Sequence, residues 1–307
     1  MSLIQAIFMG IIQGLTEFLP VSSSGHLALF KILFHVDTDT GILYDVLLHV
    51  GTLLAICAVY YKDIGKLFIE GCCIIRDAAI NVVVFIKNLF LFIKNSATKS
   101  KKRNDEINYG DYRKIVTSSY RRFVMLVIVS TIPTGIIGIA GKNVAKAAQE
   151  ILLIPGICLV ITAILLFVAD RVKGGEKLPK DVTYTNAFGI GIVQGIATLP
   201  GLSRSGSTIT ACLLSGFDRN FAVKYSFIMS IPAILGAMVV ELKDFAEISV
   251  ASTEITYYII GMLIAAVIGY ICIKTMLVIV RKKKFLGFAI YCLIVGLISI
   301  GGFIYTV

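Results

Sequence analysis

The sequence predicts an all-α, polytopic membrane protein built as an inverted-topology repeat, with two re-entrant helix pairs and about six full spans. Three observations predict it. Apolar residues make up 57% of the 307-residue chain against 16% charged, with a mean hydropathy of +0.88. Six apolar segments are long enough to cross a bilayer, and a Gly- and Ser-rich stretch at 10–27 returns at 191–208. A soluble domain of this size needs far more polar surface. Composition therefore excludes an ordinary soluble enzyme, a disordered chain and a small disulfide scaffold.

The spans are read at 43–61, 123–141, 151–169, 221–240, 255–280 and 285–305, because about 20 apolar residues cross the hydrocarbon core. Stretches 1–35 and 185–216 are apolar too, but Gly, Pro and a run of Ser break each of them. That pattern predicts a re-entrant pair of half-helices, whose irregular backbone is tolerated at membrane depth only under a cover of protein or in a water-filled cavity. Segment 66–94 is apolar but interrupted by Glu70, Arg76, Asp77 and Lys87, and reads as an interfacial amphipathic helix. If it spanned, everything after it would flip. The expected organisation is a first half-repeat at 1–169, carrying a cytoplasmic insertion at about 62–122, and a second, inverted half-repeat at 185–307.

Basic residues orient this plan. The chain holds 29 Lys and Arg against 19 Asp and Glu. They concentrate at 94–122 (Lys94, Lys99, Lys101, Lys102, Arg103, Arg113, Lys114, Arg121, Arg122), at 170–180 (Arg171, Lys173, Lys177, Lys180) and at 281–284. All three loops fall on one side of the six-span plan, which makes that side cytoplasmic and puts both termini outside. In so apolar a chain the excess charge points to basic loops and an anionic lipid surface, not to nucleic acid. The seven Cys show neither metal spacing nor a disulfide framework.

The repeat carries the chemistry. GIIQGLTEFLPVSSSGHL (10–27) and GIVQGIATLPGLSRSGST (191–208) align without gaps at an offset of 181 and share seven identical residues. Composition alone would give about one or two. Small residues can serve helix packing alone. That reading leaves Glu17, His26 and Arg204 unexplained, since ionisable groups inside a membrane are costly and usually functional. Glu17 aligns with Thr198, Ser23 with Arg204 and His26 with Ser207. One copy thus holds the acid and base, and the other holds the cation. Gln13 and Glu17, four apart, share a helix face. Pooled, the two copies supply a phosphoryl-transfer set. Arg204 can clamp phosphate oxygens, and His26 can act as general base or acid. Ser23 can be a nucleophile, and Glu17 can hold a divalent cation or position a proton. Free N–H groups at half-helix ends favour an anion.

QGLTEFLPVSSSGH (13–26) and LPGLSRSGST (199–208) resemble the two signature motifs of the undecaprenyl pyrophosphate phosphatase family, the bacitracin-resistance type, and FIMSIPAILGA (227–237) follows in the expected order. The resemblance covers nearly the whole chain. It implies removal of the terminal phosphate from a C55 isoprenyl pyrophosphate, which recycles the carrier for the cell wall and underlies bacitracin resistance. It implies Glu17, Ser23, His26 and Arg204 as catalytic residues, with Glu17 also on a divalent cation, Mg²⁺ or Ca²⁺. Gln13, Ser22, Ser24, Ser203, Ser205 and Thr208 are implied as substrate contacts. It places the protein in the bacterial cytoplasmic membrane with its reaction centre open to the outer face. The expected partners are the polyprenyl lipid and the bilayer, with a homodimer left open. SSGH is also similar to the PSGH motif of type 2 phosphatidic acid phosphatases, but that family's second His would fall on Thr210. The alternative from another class is a transporter or flippase of an anionic lipid or small anion, because inverted repeats with broken helices are a transporter plan.

Three weaker features complete the reading. Asp45 and His49 could line a cavity mouth or form an interfacial salt link. Asp218 and Arg219 read as a cap between segments. His35 reads as a loop residue.

Overall fold

Among the described residues of the computed structural model (1–34, 36, 41–97, 109–245, 252–282 and 284–306) the chain forms ten helices and no strand. They are α1 (Leu3–Phe18), α2 (Ser23–Leu33), α3 (Gly41–Ala97), α4 (Ser119–Ala148), α5 (Leu153–Arg171), α6 (Tyr184–Ile196), α7 (Arg204–Leu214), α8 (Arg219–Phe245), α9 (Ser252–Arg281) and α10 (Leu286–Thr306). Six of them, α3, α4, α5, α8, α9 and α10, are long and apolar enough to cross a membrane. His35, Lys99, Lys101, Lys102, Arg103 and Lys283 lie outside the described residues.

The two interrupted stretches each become a helix, a break and a second helix. Their helices run 16 and 11 residues in the first pair and 13 and 11 in the second. At 1.5 Å per residue the shorter ones reach only about 16–20 Å, against a hydrocarbon core of about 30 Å. Local sequence explains the breaks. Leu19 precedes Pro20 and is extended, at φ −69° and ψ 142°, because the proline ring excludes the helical region for the residue before it. In the second pair Pro200 is followed by Gly201 at φ +90°, a left-handed conformation that favours glycine.

The chain divides into two compact units, Met1–Tyr61 with Leu126–Val307, and Lys62–Met125. In the larger unit the helices of the two halves interleave. Helix α1 packs on α9 and α6 on α4, while α5 packs on α10. Repeat-related glycines make the first two contacts close. A Cβ on Gly10 would sit 2.5 Å from the Gly261 carbonyl oxygen, and one on Gly191 would sit 2.2 Å from that of Ser130. Small residues at such crossings let helix backbones approach within a membrane. Hydroxyls reinforce the α4–α6 seam: Ser130 Oγ donates to the Ala187 carbonyl and Thr134 Oγ1 to that of Gly191, both at 2.8 Å. The shared glycines thus do pack helices. Asp218 caps α8 by accepting from Phe221 N at 2.9 Å, and Arg219 donates to the Val172 carbonyl.

In the smaller unit segment 66–94 is helical, as the sequence predicts. α3 is two helices joined at a kink, where Tyr60 is non-helical at φ −107° and ψ 23°. No proline interrupts the second helix, and the glycines at 65 and 71 are weak breakers. Residues 109–117 are non-helical and run beside that helix. Asn81 Nδ2 donates to the Arg113 carbonyl at 2.8 Å while its Oδ1 accepts from Arg113 N at 2.7 Å. Asn88 grips Gly110 the same way, at 3.0 and 2.9 Å. Arg121 closes the unit by pairing with Glu70 and Asp77, both at 2.8 Å.

Candidate active site

The site is assembled from the two breaks. Ser22 precedes α2 and its hydroxyl accepts from Gly25 N at 3.3 Å; Ser203 precedes α7 and its hydroxyl accepts from Gly206 N at 3.1 Å. The two caps satisfy equivalent orphan donors. The breaks touch reciprocally. A Cβ on Gly25 would meet Gly201 Cα at 2.8 Å, and one on Gly206 would meet Pro20 Cβ at 3.2 Å. Since Pro20 and Gly201 are themselves repeat-related, each break packs against the other's equivalent point. The flanking helices repeat the exchange: Thr162 of α5 donates to the Gly201 carbonyl at 3.1 Å, and Cys292 of α10 lies 3.8 Å from that of Pro20. Two helix N-termini, each an anion-favouring end, therefore start side by side.

One carboxylate joins the halves. Glu17 closes α1 and is only 7% exposed. Its Oε1 accepts from Arg204 Nη2 in an ion pair. Its Oε2 accepts from Ser23 Oγ at 2.5 Å and from Gln13 Nε2 at 3.1 Å. Gln13, Glu17, Ser23 and Arg204 thus form one cluster. Two of its buried polar atoms, Gln13 Oε1 and Arg204 Nη1, find no hydrogen-bond partner, and neither does the nearby Ser207 Oγ. Unpaired buried polar groups are expensive, so Gln13 Oε1 is open to a donor or a cation and Arg204 Nη1 to an anionic oxygen. Ser22 carries a further tension: at φ 71° it is the one non-glycine with positive φ among the described residues, a conformation that costs about 1–3 kcal/mol and concentrates at functional sites.

The other predicted site residues are placed as follows. Ser24 Oγ lies 3.4 Å from Ser22 Oγ, and Ser205 Oγ lies 3.4 Å from Ser203 Oγ. Thr208 is fully buried; its hydroxyl donates to the Arg204 carbonyl at 2.8 Å and lies 2.6 Å from Ser226 Oγ. The hydroxyls of Ser22, Ser203 and Thr208 therefore already hold the turns together. His26 is held by partners other than the carboxylate cluster. Its Nδ1 donates to the Ser22 carbonyl at 2.8 Å, which makes Nε2 the acceptor, and the Tyr291 hydroxyl donates to that nitrogen at 2.8 Å. The two rings are nearly parallel, 8° apart. Tyr291 was not legible in the sequence: it aligns with no motif and sits among the apolar residues of α10. Asp45 is held by Lys31 at 2.5 Å and lines a cavity of about 400 Å³ with Thr134, Lys142, Lys146, Thr198 and Pro232. His49 Nδ1 donates to the Asp45 carbonyl at 2.8 Å.

Among the described residues no three His, Cys, Asp or Glu side chains cluster. The donors at Glu17 nevertheless suit a hard divalent cation. Such ions, Mg²⁺ especially, take oxygen ligands and are often held by one or two carboxylates together with substrate phosphates. One carboxylate and the unpartnered Gln13 Oε1 match that description.

Fold and site together define a polytopic membrane protein built around a buried carboxylate, hydroxyl and guanidinium, a set suited to phosphoryl transfer. Comparison with known proteins makes the assignment specific. The family model described as bacitracin resistance protein BacA matches residues 6–298. Proteins named undecaprenyl-diphosphatase are similar over nearly their whole length: 39% identity in Alkaliphilus metalliredigens and in Halothermothrix orenii, and 34% in Methanosphaera stadtmanae, covering 98% of both chains in each case. The chain belongs to the BacA family.

Proposed function

We propose that this protein is an integral membrane undecaprenyl-diphosphatase, which hydrolyses undecaprenyl pyrophosphate to undecaprenyl phosphate and inorganic phosphate. Family membership and the names of the relatives support the activity. The observation that carries the mechanism is the shared carboxylate, with Ser23 on one oxygen of Glu17 and Arg204 on the other.

In this reading Ser23 Oγ attacks the terminal phosphorus and its proton passes to Glu17 Oε2, to which it is already hydrogen-bonded. The P–O bond to the bridging oxygen breaks, and the lipid monophosphate leaves. Water then attacks the phosphoserine, giving inorganic phosphate and regenerating the hydroxyl. Arg204 places Nη1 on a non-bridging oxygen, and the N-termini of α2 and α7 neutralise the remaining charge. Glu17 and Gln13 Oε1 would hold a Mg²⁺ or Ca²⁺ ion, which supplies charge neutralisation at the phosphates when bound. His26, with its proton fixed on Nδ1, offers Nε2 as a base for the water of the second step once Tyr291 yields. A carrier has no use for a hydroxyl hydrogen-bonded to a buried carboxylate, so the cluster favours the enzyme over a transporter.

The same reading places the protein in the bacterial cytoplasmic membrane. The basic loops 170–180 and 281–284 orient it, and the cavity lined by Lys142 and Lys146 then opens to the outer face. Phosphate release from C55 pyrophosphate by the purified protein, with and without Mg²⁺ or Ca²⁺, tests the activity. Metal-dependent release, lost in Ser23→Ala, His26→Ala and Arg204→Ala, is expected. No release from folded protein that still binds the lipid would overturn it and favour the transporter.

A further inference from the structure

The unit Lys62–Met125 contains an amphipathic helix whose polar side is already occupied. Glu70, Asp77, Asn81 and Asn88 lie on one stripe, spaced by seven, four and seven residues, and all are turned toward the segment 109–121. The fit is metric. Seven helical residues rise about 10.5 Å. The three residues from Gly110 to Arg113, extended, cover about 10 Å. Two asparagines therefore grip the neighbouring backbone in register, and Arg121 locks its end. The opposite stripe is apolar and bare. Phe68, Ile75, Val82, Ile86, Phe90 and Ile93 are each more than half exposed, although an apolar patch beyond a few hundred Å² is unusual against water.

We propose that this unit is a monotopic docking element lying in the boundary of an anionic bilayer, with the apolar stripe in the acyl region and the 109–118 segment in water. Charge supports the choice of partner. Residues 62–125 hold 13 basic and six acidic side chains, so this fifth of the sequence contributes +7 of the chain's +10. Anionic headgroups attract such a segment. Full insertion is disfavoured because Asp77, Asp111, Arg113, Lys114 and Arg121 would enter hydrocarbon with the helix.

The test uses the full-length chain with its accessible cysteines replaced, carrying a single nitroxide at Ile86→Cys, Ile93→Cys or Lys114→Cys, in vesicles of phosphatidylcholine with or without phosphatidylglycerol. Labels at 86 and 93 are expected to be severalfold more accessible to oxygen and severalfold less accessible to a water-soluble nickel chelate than the label at 114. Phosphatidylglycerol is expected to deepen them. Labels at 86 and 93 open to the chelate would overturn the proposal. So would protection of both from both reagents, which means a second protein copy covers the face, or lipid exposure of 114, which means insertion. Depth unchanged by phosphatidylglycerol would overturn the anionic partner. Any labelled variant that is not monodisperse is replaced by a label at Val82 or Phe90 on the same stripe.

Discussion

At residues 22–25 and 203–206 the chain makes the same capped turn twice. Each serine cap holds the amide two glycines rely on, at Gly25 and Gly206, and each has a second serine hydroxyl 3.4 Å from the cap. The buried glutamines repeat too: Gln13 and Gln194 both keep an unpartnered Oε1. The side chains proposed to do the chemistry are not repeated. Glu17, Ser23 and His26 stand opposite Thr198, Arg204 and Ser207. Duplication of a backbone gives two anion-favouring helix ends. In the proposed mechanism divergence of three positions makes one end the nucleophile and the other the clamp, and the Glu17–Arg204 ion pair joins the two breaks.

The division predicts unequal consequences. Ser23→Ala and Arg204→Ala, one in each copy, should each lower kcat by about 10³ or more, the scale of losing a nucleophile or a phosphate-clamping arginine. The double variant should be little worse than either single one, since residues acting as a unit are not additive; steady-state phosphate release would show it, and additive losses would mean the copies act separately. Glu17→Gln should lower activity at least 100-fold and destabilise the protein by about 3 kcal/mol, because it leaves the Arg204 guanidinium buried without its counter-charge. Its counterpart Thr198→Val should stay within about 0.5 kcal/mol and keep its rate, as thermal unfolding in detergent and turnover together would establish.

Smaller changes probe the turns. Gly25→Ala puts a Cβ 2.8 Å from the Gly201 backbone, whereas Gly206→Ala meets nothing closer than 3.1 Å. The first should cost about 1–3 kcal/mol and the second less, and equal melting temperatures would show that the breaks do not interlock. Tyr291→Phe removes the hydroxyl that must yield before His26 Nε2 can act as a base, and should speed the second step severalfold, by about 1 kcal/mol. The pH profile should move with it, while His26→Ala should make the Tyr291 change silent. The smallest contrast is at the caps. Ser203→Gly should destabilise by a few tenths of a kcal/mol. Ser22→Gly should be neutral or stabilising, because glycine relieves the positive φ of 71°; denaturant melts of the pair would distinguish them.

Much of this protein is written locally. The six spans follow from hydropathy over about 20 residues. The two breaks follow from Pro20, Pro200 and Gly201, whose rings and missing Cβ act on adjacent dihedrals. The pairing of Glu17 and Gln13 on one helix face follows from a spacing of four. Even the chemical inventory was legible, because polar and ionisable residues stand out against so apolar a background. Other features are contacts between residues far apart in the chain, and no local pattern encodes them. Glu17 meets Arg204 across 187 residues and His26 meets Tyr291 across 265. The partners of the charged residues within 62–97 were hidden in the same way: Arg121 pairs with Glu70 and Asp77, and Asn81 and Asn88 hold the backbone of Arg113 and Gly110. Sequence determined which groups the protein has and where its helices stop. Tertiary structure decided which carboxylate oxygen each group occupies, since packing of α1 on α9 and α6 on α4 fixes how the two breaks meet.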